Sequence, residues 1–178
     1  MLCINLLFKL IFVFIGVCAV FLYTRIFVDI YHTYGSPNIP FSKSKAYNVS
    51  LQLVDCIQRK DREEHWDKIK TCLQNAHVYS VRNGRIPYMW RRSLPVAWVQ
   101  PKISSTSVFL TSLYINKNVF YQALVMVHEC SHLSLGTKDI AYVFEKEFLK
   151  LSYEQHLKNA DSYLYRIYKY CINDGTSS

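Results

Sequence analysis

His128, Glu129 and His132 stand in the run His-Glu-Cys-Ser-His. On a helix, residues four apart share a face, so both imidazoles reach a single ion. The glutamate between them is placed to activate a metal-bound water, the arrangement of a metal-dependent hydrolase. The apolar run Ala123-Leu124-Val125-Met126-Val127 precedes these residues and predicts a helix over 118–134 that carries them. Taken alone, the five residues also fit a plain helix with two partly buried histidines. The residues beyond His132 decide between the two readings.

A structural zinc site closes with four protein ligands, whereas a catalytic one keeps three and leaves a position for water. A third ligand is therefore expected near His128 and His132. The metzincin spacing would put glycine three residues after the second histidine and another histidine three beyond. Here Gly136 lies four residues on, and Lys138 stands six on. A thermolysin-like arrangement would draw a glutamate from a later helix, and Glu145, Glu147 and Glu154 are available. Asp139 is the better candidate. Gly136 suits a left-handed cap that ends the helix, and Thr137 can cap the next turn. That reversal returns Asp139 toward the histidines, and a carboxylate oxygen is an ordinary zinc ligand beside two imidazoles. If Asp139 begins a helix over about 138–151, Tyr142 shares its face and points its phenol into the same cleft.

His-Glu-Cys-Ser-His followed by Gly136-Thr137-Lys138-Asp139-Ile140-Ala141-Tyr142 resembles the aspzincin metallopeptidases, the deuterolysins and peptidyl-Lys metalloendopeptidases. A third block, Asn159-Ala160-Asp161-Ser162-Tyr163, resembles the Asn-Ala-Asp-x-Tyr segment near the C-terminus of that family. The likeness covers roughly residues 105–170. It implies Zn2+ held by His128, His132 and Asp139, with Glu129 as general base. Tyr142 becomes the group that polarises the scissile carbonyl. Asp161 falls where the family has an aspartate that supports the site from behind. There it could accept a hydrogen bond from the free ring nitrogen of His128 or His132. The implied fold is an α+β, zincin-like metallopeptidase domain with a small antiparallel sheet and an active-site helix. The implied partner is a protein or peptide substrate. Two features depart from the family: the link from His132 to Gly136 is shorter than in its fungal members, and Val143 stands where glycine is usual.

The elements that must position these residues are legible in outline. The 178 residues suffice for one domain with a core. From Leu2 to Tyr23 the chain is apolar except for Asn5 and Lys9, so 1–24 is expected to be a transmembrane anchor or a signal segment. The protein is then membrane-anchored or secreted. Arg25, Lys43 and Lys45 follow the apolar run, which argues for a cytoplasmic domain; the secreted habit of the resembled family argues the reverse. Residues 25–46, with Gly35-Ser36-Pro37-Asn38-Ile39-Pro40, read as a linker, and 47–178 as the metallopeptidase domain. Helices are expected over 47–59 and 61–76, with apolar faces marked by Val54 and Ile57, and by Trp66, Ile69 and Leu73. Cys56 and Cys72 fall one on each and could pair, leaving Cys130 and Cys171 as free thiols. Strands are expected at His77–Val81, Val96–Val99 and Thr106–Ile115, with a turn at Asn83-Gly84. The open edge of the strand before the metal helix could pair with an extended substrate. A third helix is expected over about 156–172.

The net charge is +8, but the basic residues are scattered and no nucleic-acid module is visible. No nucleic acid is expected as a partner, and the chain is expected to be a monomer. Two other functions fit the same residues. One is a non-catalytic membrane-anchored binding protein that retains the fold; the other is a zinc hydrolase acting on a non-protein amide. The presence of both Glu129 and Tyr142 argues against the non-catalytic reading.

Overall fold

Ser44 accepts a hydrogen bond from the Tyr47 amide at 3.0 Å and so opens the first helix, α1 (Lys45–Lys60). The computed structural model describes residues 41–80, 95–102 and 104–173. The apolar segment 1–24, most of the linker and the Asn83-Gly84 turn lie outside the described residues. All described residues belong to one compact unit, Pro37–Ser178. No helix among them is long and apolar enough to cross a membrane.

The architecture is α+β. α1 is followed by α2 (His65–Asn75), β1 (His77–Ser80), β2 (Ala97–Val99), β3 (Ser107–Leu110) and α3 (Ser112–Ile115). Then come α4 (Val119–Leu135), α5 (Tyr153–Leu157) and α6 (Ala160–Ile167), which continues as a π-helical turn over Tyr168–Ile172. The core forms where α1, α2 and α6 close on α4. Val54, Ile57, Trp66, Ile69, Leu73, Ala123, Met126, Val127 and Ile167 are buried there. Both apolar faces read from the sequence are the buried faces. Each large side chain sealed in this way contributes about 1.5–3 kcal/mol.

The strand order is β1-β3-β2. β2 and β3 run antiparallel, but β1 and β3 run parallel, so the sheet is mixed and not the antiparallel one expected. β2 and β3 form a hairpin, and its second arm inserts beside β1, running the same way. Strand-forming residues fix neither insertion nor direction. β3 is therefore central, with both edges paired, and cannot offer an open edge to a substrate. It is buried along its whole length. Phe109 is sandwiched between Tyr79 and Trp98, with ring centroids at 5.6 and 5.4 Å.

Three expected elements come out differently. The strand expected to reach Ile115 stops at Leu110, because the Thr111 hydroxyl accepts from the Leu113 amide at 3.2 Å and caps α3. The helix expected over 138–151 is absent, and only Phe148–Lys150 makes a single 3-10 turn. The helix expected over 156–172 is broken at Asn159, whose extended backbone bridges Lys138 in parallel fashion. The cysteine pairing also differs. Cys56 bonds to Cys171, with 6.1 Å between their Cα atoms, and ties α1 to the π-helical turn. Cys72 instead faces Cys130 on α4. Sequence puts each cysteine on a helix, but only packing decides which third element lies against it.

Candidate metal centre

α4 is built to present His128 and His132 together. Its N-cap, Asn118, accepts from the Tyr121 amide at 2.8 Å. Its C-cap, Gly136, takes the left-handed conformation at φ 66°, and its amide reaches the His132 carbonyl at 3.2 Å. Ala123, Met126, Val127 and Cys130 seal one side of this helix in the core. The two imidazoles project from the other side, their ring centroids 4.8 Å apart.

After Gly136 the chain turns back, and Asn159 holds it in that path. The side-chain oxygen of Asn159 accepts from the amides of Ile140 (2.9 Å) and Ala141 (3.2 Å), while its nitrogen donates to the Ala141 carbonyl at 2.9 Å. The backbone bridge adds Lys138 N–H to the Lys158 carbonyl at 2.8 Å and Ala160 N–H to the Lys138 carbonyl at 3.0 Å. These bonds satisfy amides that a helix would otherwise satisfy internally. The result puts Asp139 Oδ1 3.1 Å from His128 Nε2 and 3.3 Å from His132 Nε2. The two Nε2 atoms are 3.1 Å apart.

The outer ring nitrogens decide what the inner ones can do. His128 Nδ1 donates to Asp161 Oδ1 at 3.0 Å. His132 Nδ1 donates to the Thr137 carbonyl at 2.8 Å. Both acceptors require a proton on Nδ1, so in the neutral rings both Nε2 atoms carry bare lone pairs. With Asp139 Oδ1, three lone-pair donors converge with nothing between them to share. Such a set calls for a cation. A tetrahedral zinc with bonds of about 2.0–2.1 Å separates its ligand atoms by about 3.3 Å, and the separations here fit that ion. His128, His132 and Asp139 are the metal-competent group among the described residues. Glu145, Glu147 and Glu154 are not part of it; Glu145 accepts instead from the Tyr142 amide at 2.8 Å.

Charge in the cluster follows from its geometry. Burial works against a positive His128, but hydrogen bonds to Asp139 and Asp161 outweigh it and push the ring up to about 10. His132 is raised as well, its burial overcome by Asp139 and the Thr137 carbonyl. The hydrogen bonds from His128 and then His132 hold Asp139 well below the usual carboxylate range. Without a metal, then, the cation in this cluster is a proton. Glu129 is buried, and burial pushes its carboxyl up against the opposing pull of both imidazoles.

Tyr142 does not share a helical face with Asp139, since no helix forms there. It is half exposed and stacks on Phe144, with ring centroids at 5.6 Å. Burial and the carboxylates of Asp139 and Asp161 raise its phenol, so it stays protonated at neutral pH. Asp161 couples this segment to the histidines, because its second oxygen accepts from the Val143 amide at 2.9 Å. Thr137 does not cap a turn. It is buried, its hydroxyl bonded to Ser131 at 2.8 Å and 3.2 Å from His132 Nδ1. The supporting roles of Thr137, Ser131 and Asn159 are not visible from residue types. Only the positions of Thr137 and Asn159 within the aspzincin-like blocks single them out.

Comparison with protein-family models, with curated proteins and with solved structures finds no match to this chain.

Proposed function

We propose that this chain is a zinc-dependent endopeptidase with a zincin-like domain of the aspzincin type. The convergence of His128 Nε2, His132 Nε2 and Asp139 Oδ1 within 3.1–3.3 Å, with both Nδ1 protons committed elsewhere, carries the reading. Zinc bound there supplies Lewis acidity, which acidifies a water and polarises a carbonyl. Glu129 accepts the proton of the attacking water at its carboxylate and passes it to the leaving nitrogen. The Tyr142 hydroxyl donates to the carbonyl oxygen as negative charge develops there. Asp161 and the Thr137 carbonyl fix the tautomers and ring orientations of the two histidines.

The substrate is an extended peptide. Its backbone does not add to β3, whose edges are taken. The N-terminal apolar segment would tether the enzyme to a membrane or direct its export.

The test compares wild type with Glu129→Gln on a mixed peptide library, with zinc content measured in both. Both proteins are expected to bind one zinc, and only the wild type to cut peptides. Equal cleavage would remove Glu129 from the reaction. One zinc in both proteins without cleavage by either would favour a non-catalytic metal-binding domain.

A further inference from the structure

We propose that Cys72 and Cys130 form a second disulfide, which ties α2 to the site helix beside Glu129. Four cysteines fall within the described residues. Cys56 and Cys171 are already bonded. The other two sulfur atoms stand 2.7 Å apart on helices packed against each other. A thiol is a weak donor and a weak acceptor, so hydrogen bonding does not explain so close an approach. A disulfide places its sulfurs about 2.05 Å apart, roughly 0.6 Å closer than they stand here.

Access is one-sided. Cys130 is sealed. Cys72 is partly exposed and lines a groove of about 400 Å³ together with Thr71, Ser105, Thr106 and Ser134. A low-molecular-weight disulfide entering the groove reacts first with the sulfur of Cys72. One of its halves leaves as a thiol and the other stays in a mixed disulfide. Cys130 then attacks the Cys72 sulfur and expels the second half. The two cysteine protons and two electrons end on the two released thiols. An environment that maintains Cys56–Cys171 is oxidising enough to supply such a reagent.

The full chain is equilibrated with oxidised glutathione, alkylated without reduction, digested and mapped by mass spectrometry. A peptide containing Cys72 linked to one containing Cys130 is expected. The proposal is overturned if both residues carry the alkyl label while Cys56–Cys171 is intact, or if Cys72 is joined to any other cysteine. A second measurement uses C56A/C171A after the same oxidation. Dithiothreitol should lower its melting temperature by on the order of 5–10 °C. Adding C72A should abolish that dependence. A melting temperature indifferent to dithiothreitol in C56A/C171A would also overturn the bond.

Discussion

Asp161 does two jobs with one carboxylate. One oxygen orients the His128 ring, and the other holds the Val143 amide beside Tyr142. An amide in its place offers a single acceptor oxygen, so Asp161→Asn must lose one contact or the other. Zinc affinity is expected to fall about 10–100-fold, the usual cost of losing an outer partner of a ligating histidine. Competition with a chromogenic chelator measures it, and unchanged affinity would show that the ring is held by other means. Tyr142→Phe separates binding from turnover. The ring stack on Phe144 survives the change and the proposed metal ligands are untouched. Zinc affinity should therefore hold while kcat drops about a hundredfold, as for the loss of one donor to a developing oxyanion. Unaltered kcat would take Tyr142 out of the chemistry. At this scale the sequence was informative in part. Helical spacing sets His128 and His132 side by side, whereas Asp139 and Asp161 reach them from a loop and from a separate helix that no spacing rule places.

The elements were legible where a local rule governs them and obscure where a distant residue does. α4 and its end at Gly136 follow from an apolar run, an asparagine cap and a glycine at φ 66°. A Cβ at Gly136 would meet no atom within 4 Å, so Gly136→Ala incurs only backbone strain, about 1–2 kcal/mol. The stretch after it carries residues that suit a helix, yet it forms none. The reason is Asn159, which is fully buried and spends its amide group on Ile140 and Ala141. No pattern within 138–151 reveals a partner some twenty residues away. Asn159→Ala strands the buried amide and carbonyl of Ala141, leaves the partly buried Ile140 amide without its acceptor, and should lower stability by about 2–4 kcal/mol. Urea denaturation followed by far-UV circular dichroism gives the number. The same variant should bind zinc more weakly than wild type, since the path of 137–143 depends on this side chain. A loss under about 1 kcal/mol would mean that the Lys138–Asn159 backbone bridge alone carries the loop.

For the whole molecule, the proposed zinc site would set protons and metal in competition for one cluster, and that competition would tie folding to pH. In the metal-free protein, His128 is raised from an ordinary value of 6.5 to about 10. A group raised on folding stabilises the fold fully below its unfolded pKa. That contribution is lost as pH rises through the folded value. The metal-free fold should therefore weaken between about pH 6.5 and pH 10. Zinc held as proposed would take the same nitrogen atoms and have to displace the proton, so its affinity should rise across the same window. The two trends add. The melting-temperature gap between zinc-loaded and chelated protein should be small at pH 5 and widen steadily toward pH 9. Each tenfold gain in affinity at fixed excess zinc contributes about 1.4 kcal/mol, or roughly 2–5 °C for a domain of this size. Thermal scans at constant free zinc, with a chelated control at each pH, test this directly. A gap that stays constant from pH 5 to pH 9 would mean that zinc and proton do not share His128 and His132, and that the ion binds elsewhere on the chain.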